Sequence, residues 1–194
     1  YKRQVANVAA AMAALLSLGH SLREVTDAVA CMTPVPGRMQ VIDAGSPYPR
    51  VIVDYAHTPD ALEKTLAALR PQCRGELICL VGCGGDRDRG KRGQMGLAAV
   101  KGSDRVWFTS DNPRSEDPSA IIHDMLEPLK NPDSSRVYRQ ADRAKAIAEA
   151  IESAGADDIL LIAGKGHEQT QEINGEFLPF SDFAIVDQLQ SGKN

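Results

Sequence analysis

With 194 residues, 43% of them hydrophobic and 25% charged, the chain has material for one substantial core and a smaller appendage. A formal net charge of -4, with no long basic run, excludes a broad nucleic-acid footprint and points to small-molecule partners. The longest apolar stretch, Val5 to Leu18, is Ala-rich, is interrupted by Asn7 and Ser17, and falls short of the roughly 20 residues a bilayer-crossing helix needs, so no membrane span is expected.

Val5, Val8, Ala9, Met12, Leu15 and Leu16 recur with helical period and predict a helix from residue 5 to 18, ending near Gly19. The chain opens at Tyr1 directly into this pattern, which reads as a piece of something longer. Ser21-Leu22-Arg23-Glu24 is a capping box that starts a second helix through about Cys31, so the two form a helical hairpin. Thr33-Pro34-Val35-Pro36-Gly37 then breaks regular structure, and a domain boundary is expected near residue 38.

From Met39 the pattern is a short hairpin, Met39 to Asp43 and Arg50 to Asp54, with Gly45-Ser46-Pro47 in the turn. Thr58 caps and Pro59 opens a helix to about Leu69, because proline at the first helical position sacrifices no internal hydrogen bond. Strand Glu76 to Val81 precedes a glycine loop and a helix from Lys91 to Val100. Strand Arg105 to Thr109 leads through the Asp111 loop to a helix from Pro118 to Leu129. A short strand at Arg136 to Tyr138, a helix from Ala141 to Ser153 and the apolar strand Asp158 to Ala163 follow. Asn174-Gly175 marks a late β-hairpin before a final helix from about Ser181. Apolar, β-branched strands separated by helices imply an α/β fold, a Rossmann-like, mostly parallel sheet with helices on both faces. Ligands then bind at the carboxyl ends of its strands.

Four loops follow these strands and are rich in Gly, Asp, Arg, His or Lys: residues 54–60, 82–92, 110–116 and 164–168. Arg114 offers a guanidinium fork and Glu168 a carboxylate, which together suit the zwitterionic end of an amino acid better than a phosphate or a base. Asp54 ends a strand where a carboxylate can accept from ribose hydroxyls, and His57 either meets a nucleotide or donates to a backbone carbonyl. Gly85 to Lys91 satisfies G-x-x-x-x-G-K, but a phosphate loop requires Ser or Thr next, where Arg92 would repel Mg²⁺. Arg87 in that loop is a candidate for meeting an anion in the crevice. His20 and His123 read as helical and structural. Cys31, Cys73, Cys79 and Cys83 read as reduced thiols of a cytoplasmic protein without a secretory leader, and no metal site is expected from their spacing. No hydrolase motif is present, and no catalytic residue is assigned.

The motifs Asp54-Tyr55-Ala56-His57-Thr58-Pro59-Asp60, Gly82-Cys83-Gly84-Gly85-Asp86-Arg87-Asp88, Asp111-Asn112-Pro113-Arg114 and Gly164-Lys165-Gly166-His167-Glu168 together resemble, in order and spacing, the C-terminal part of a Mur ligase of the branch that adds meso-diaminopimelate. The resemblance implies that residues 38–194 are the domain binding the acceptor amino acid. Residues 1–37 would be the last helices of a central ATPase domain. It implies contacts to meso-diaminopimelate from Arg87, Asn112, Arg114, Gly164 and Glu168, with Asp111 and Pro113 shaping the loop, and nucleotide contacts from Asn7, Arg38, Asp54 and His57. Arg114 would prefer diaminopimelate because lysine, lacking the distal carboxylate, would leave it unpaired.

The implied reaction is ATP-dependent amide-bond formation in peptidoglycan synthesis. An acyl phosphate forms on the D-glutamyl carboxylate of UDP-MurNAc-L-Ala-D-Glu, and the amine of diaminopimelate attacks it. ATP and Mg²⁺ would be held mainly by the central domain, so this chain alone is expected to be inactive. The alternatives are a lysine-adding Mur ligase and a non-catalytic amino-acid-binding module.

Overall fold

A computed structural model describes residues 2–32, 35–42, 45, 47–130, 133 and 135–192, with the side chains of residues 2–4 excepted. Tyr1, Thr33, Pro34, Asp43 and Ser46, which figure in the sequence reading, lie outside the described residues. The chain divides into two compact units, Tyr1–Val35 and Pro36–Asn194.

The smaller unit is a pair of helices, α1 (Lys2–Ser17) and α2 (Leu22–Ala30). Ser21 caps α2 as the sequence predicts: its hydroxyl accepts from Glu24 N, and the Glu24 carboxylate accepts from Ser21 N at 2.8 Å. The reciprocal bonds satisfy two backbone donors that a helix start leaves orphaned. His20 is not helical; it lies exposed in the turn between the helices.

The larger unit runs β1 (Gln40–Ile42), β2 (Arg50–Asp54), α3 (Pro59–Leu69), β3 (Leu77–Cys83), α4 (Gly90–Gly102), β4 (Arg105–Ser110), α5 (Pro118–Leu126), β5 (Val137–Arg139), α6 (Arg143–Glu152), β6 (Ile159–Ala163), β7 (Thr170–Ile173), β8 (Glu176–Pro179) and α7 (Asp182–Ser191). Six strands form one sheet in the order β1-β2-β6-β3-β4-β5, parallel throughout except for β1, which pairs antiparallel with β2. β7 and β8 form a separate antiparallel hairpin across Asn174-Gly175. The helix expected to reach Leu129 stops at Leu126 and tightens into a 3₁₀ turn, Glu127–Leu129. Pro128 has no N–H to continue the α ladder.

Alternation along each strand decides what each face buries. Cys79, Val81 and Phe108 face α3, α4 and α5 through Leu62, Leu66, Met95, Ile121 and Met125, whereas Ile78, Leu80, Trp107, Leu160 and Ile162 face Ile147, Ala150 and Val186 of α6 and α7. The central strands are apolar on both sides because both sides are covered. Burial pushes the Cys79 and Cys83 thiols up to about 12. At pH 8, thiol-specific reagent should therefore label exposed Cys31 at once and leave Cys79 and Cys83 silent until denaturant is added; prompt reaction of all four would contradict this core.

One buried ion pair closes the α6–α7 side. Arg143 Nε and Nη2 donate to the two carboxylate oxygens of Asp182 at 2.8 Å, both side chains being fully buried. The remaining guanidinium N–H groups cap Ser110 O at 3.2 Å and Ala163 O at 3.1 Å, the last carbonyls of β4 and β6. Arg143→Ala would strand a buried carboxylate and two carbonyls, and should destabilise the fold by about 3–5 kcal/mol in urea titration. Paired Arg143→Met and Asp182→Leu should recover much of that loss.

Candidate active site

The parallel register sets the carboxyl ends of β2, β6, β3 and β4 side by side, so the four polar loops noted in the sequence follow one sheet edge. They are stapled to one another by backbone and charge. Gly85 N donates to Asn112 O at 2.9 Å, and Asp86 accepts from the Ser115 hydroxyl at 2.8 Å. Gly85 must be glycine, because a Cβ there would drive into Pro113 O.

Arg92, which in a phosphate loop would be Ser or Thr, is fully buried and serves as a cross-brace. Its guanidinium bonds Glu116 Oε1 at 2.8 Å, Asp124 Oδ2 at 2.8 Å and Gly84 O at 3.3 Å. The Gly85–Lys91 segment is thus committed to an internal ionic network, not shaped to cradle phosphates.

The β7–β8 hairpin docks on the Asp111–Arg114 loop. Arg114 N donates to Glu172 O at 3.0 Å and Asn174 N to Arg114 O at 2.7 Å, a match that requires Arg114 to adopt φ 53. A left-handed arginine costs about 1–2 kcal/mol, and the two backbone bonds offset it. Asn112 is the hub of the arrangement. Its Oδ1 accepts from Lys165 Nζ and from Glu172 N, each at 3.0 Å, while its Nδ2 donates to Glu168 Oε2 at 2.9 Å.

Between hairpin and sheet edge lies a cleft of about 540 Å³, lined in part by Asn112, Arg114, His167, Glu168, Glu172 and Phe177. Arg114 and Glu168, far apart in sequence, therefore share one cavity. Arg114 is not an empty fork, however, contrary to the sequence expectation. Its Nε lies 2.9 Å from Glu172 Oε2, and its Nη1 donates to Gly85 O at 2.8 Å. A ligand without a distal carboxylate would not leave this arginine bare, contrary to the unpaired charge expected with lysine. Lys165 Nζ bonds Glu168 Oε2 at 3.0 Å. Burial works to raise the Glu168 carboxyl, but hydrogen bonds from Asn112 and Lys165 outweigh it and hold the group below its ordinary range.

The other expected acceptor contacts lie around the cleft without lining it. Asp111 is buried, its carboxyl pushed up by that burial against the pull of Arg143 and Lys165. Gly164, at φ 114, packs over it: a Cβ at Gly164 would sit 3.1 Å from Asp111 Oδ2. Pro113 is buried against Gly85. Arg87 is exposed, and its stem borders the same space over Gly84 as Arg114: a Cβ at Gly84 would lie 3.0 Å from Arg114 Nη1 and 3.5 Å from Arg87 Cγ.

Of the expected nucleotide contacts, Asn7 lies exposed on α1 in the smaller unit. Asp54 is buried, its Oδ2 accepting from Met39 N at 2.8 Å and its Oδ1 facing the Thr65 hydroxyl at 3.5 Å, so both oxygens are engaged inside the fold. Arg38 stacks 4.7 Å from the Tyr55 ring centroid. His57 Nδ1 donates to Tyr55 O at 2.9 Å, since a carbonyl can only accept, which leaves Nε2 free. His167 also packs near Tyr55, 5.9 Å between ring centroids. Among the described residues, no group of three or more His, Cys, Asp or Glu side chains could hold a metal ion. No described helix is long and apolar enough to cross a membrane. Sequence reasoning gave no role to Lys165, Glu172, Arg92 or Arg143. Lys165 sits inside a quoted motif, but nothing local signals that its stem is buried.

A family model described as the Mur ligase, glutamate ligase domain, matches residues 37–166, and the chain belongs to the Mur ligase family. The UDP-N-acetylmuramoyl-L-alanyl-D-glutamate--2,6-diaminopimelate ligase of Coxiella burnetii is 56% identical over 148 residues, covering 76% of this chain and 30% of the relative. The enzyme of the same name from Pseudomonas putida is 51% identical over 178 residues, covering 92% of this chain and 35% of the relative. A solved structure bearing that name superposes with a TM-score of 0.75 at 44% identity, covering 98% of this chain and 38% of that one. The E. coli FolC structure in complex with ADP superposes at 0.62 with 27% identity, covering 81% of this chain and 36% of that one. The chain spans about a third of the length of the curated relatives it matches.

The Arg92 guanidinium holds the Glu116 carboxyl down at about 2, from an ordinary 4.5. A depressed carboxylate stabilises the fold above its ordinary range and loses that contribution as pH falls through the folded value. Glu116→Gln should lower Tm at pH 7, and the gap to the unaltered chain should close between pH 4.5 and 2. A gap that persists at the acid end would rule out this ionic brace.

Proposed function

We propose that residues 38–194 form the acceptor-amino-acid domain of a ligase that adds meso-diaminopimelate to UDP-MurNAc-L-Ala-D-Glu in peptidoglycan synthesis, and that residues 1–37 are the closing helices of its central ATPase domain. The observation that carries this reading is the shared cleft, in which Arg114 and Glu168 are set on rigid loops around Asn112. The names of the relatives supply the acceptor, and the cleft supplies a donor and an acceptor suited to its distal amino-acid end. Arg38, His57 and Asn7 are assigned to the nucleotide side on the family resemblance. Asp54 acts there through the Met39 backbone that it holds.

In this reading the domain binds diaminopimelate by one end and presents the other end's amine to an acyl phosphate on the D-glutamyl carboxylate. Holding the amine in place of a free solute makes the attack effectively unimolecular. ATP and Mg²⁺ are assigned mainly to the central domain on the family resemblance. The protein would work in the cytoplasm.

A second reading is a lysine-adding ligase, favoured by one observation: Glu172 already lies 2.9 Å from Arg114, so a ligand lacking the distal carboxylate does not leave that guanidinium unpaired. Calorimetric titration of the 194-residue chain separates the two. Binding of meso-diaminopimelate should be weak and should fall about 10- to 100-fold in Arg114→Ala, the range expected for charge-assisted hydrogen bonds. L-Lysine binding as tightly as diaminopimelate, insensitive to Arg114→Ala, would transfer the assignment to the lysine-adding reading.

A further inference from the structure

Glu172 belongs to none of the motifs that carry the family resemblance, yet it is tied to the acceptor loop at three points. Its N–H donates to Asn112 Oδ1 at 3.0 Å, its carbonyl accepts from Arg114 N at 3.0 Å, and its carboxylate lies 2.9 Å from Arg114 Nε. The Glu172 side chain is 24% exposed and that of Arg114 19%, so both stand at the cleft wall, accessible to a ligand.

The charges of the cleft have partners. Lys165 lies 3.0 Å from Glu168 and 3.7 Å from buried Asp111, and Glu172 lies 2.9 Å from Arg114. Hydrogen-bonding capacity is left over. Arg114 Nη2, Glu168 Oε1 and Glu172 Oε1 take part in no hydrogen bond among the described residues. The cleft thus offers one donor group and two acceptor oxygens, with Arg114 and Glu172 balancing one another at its wall. A lone carboxylate would be drawn by Arg114 and repelled by Glu172, and a lone ammonium would meet the reverse. A head group bearing both charges on one carbon meets neither penalty.

We propose that Glu172 is a specificity-determining residue of the acceptor cleft: it balances Arg114 so that the cleft selects a net-neutral α-amino-acid head group, whose carboxylate lies on Arg114 Nη2 and whose ammonium bridges Glu168 Oε1 and Glu172 Oε1. The inference rests on the acceptor-domain reading and adds a residue to it. Lys165 and Asn112 hold Glu168, and β7 holds Glu172, so the two acceptor oxygens are placed before the ligand arrives.

The test uses meso-diaminopimelate, with an ammonium at each end, and pimelate, with the same carbon chain and none, titrated into the unaltered chain, Glu172→Gln and Glu172→Asp by chemical-shift perturbation. In Glu172→Gln, diaminopimelate should weaken at least 10-fold while pimelate tightens, because the ammonium loses a partner and the carboxylate loses a repeller. Glu172→Asp keeps the charge and should keep the preference for diaminopimelate even if the hairpin loosens. Weakening of both ligands in parallel would show that Glu172 merely steadies Arg114, and a change under twofold for diaminopimelate would show no role; either result overturns the proposal. Failure of the unaltered chain to bind diaminopimelate at all would instead remove the acceptor-domain reading on which the proposal stands.

Discussion

Two loops and a hairpin are held together by the side chain of one residue, Asn112. Its amide has both an acceptor and two donors, which lets it accept from Lys165 and from the β7 backbone while donating to Glu168. An aspartate there would lose the donor to Glu168 and add a negative charge beside it; a leucine would leave Lys165 and Glu172 N without their acceptor. Because the amide is neutral, it links the cation to the carboxylate without adding to the charge of the cleft. The orientation of Glu168 and the docking of β7 both follow from it.

Around this hub the fold uses buried charge as bracing. Arg92 ties the β3 loop to the start of α5, and Arg143 ties the ends of β4 and β6 to α7. Each is a planar, permanently charged donor set that can satisfy several acceptors at once, which lysine could not do with the same geometry. Both sit at the carboxyl edge of the sheet, where strand carbonyls emerge without ladder partners. The cleft therefore rests on loops that are cross-linked beneath it, and its side chains are positioned by the scaffold in advance of a ligand. Arg114 shows the cost of this positioning, since its backbone is held in the left-handed region by the two bonds to β7.

Membership of the Mur ligase family gives the site its chemical setting, and under the proposed acceptor role the cleft would hold an amino acid by its charged end. A cleft in which Arg114 and Glu172 balance one another distinguishes ligands by the arrangement of their charge more than by its amount. That is the kind of selectivity the proposed acceptor role requires. The loop after β2 is built differently: Arg38 lies over the Tyr55 ring, His57 meets that ring edge-on and His167 packs tilted against it, with Asp54 turned inward to Met39 N.

Much of the architecture was legible in the residues. Apolar β-branched runs, the Ser21–Glu24 box, Thr58-Pro59 and Asn174-Gly175 are local signals, and strands, caps and turns are decided largely by neighbours in sequence. The loops bearing Arg114 and Glu168 were legible for the same reason, since each follows its strand directly. What only the tertiary structure decided is which charges neutralise which. Glu172 meets Arg114, Lys165 meets Glu168 and Arg143 meets Asp182 across 58, 3 and 39 positions of chain, and neither the separations nor the residue types foretell the pairing. Coulomb interactions depend on distance and burial in space, and those are fixed only when the hairpin docks and the sheet closes over its helices.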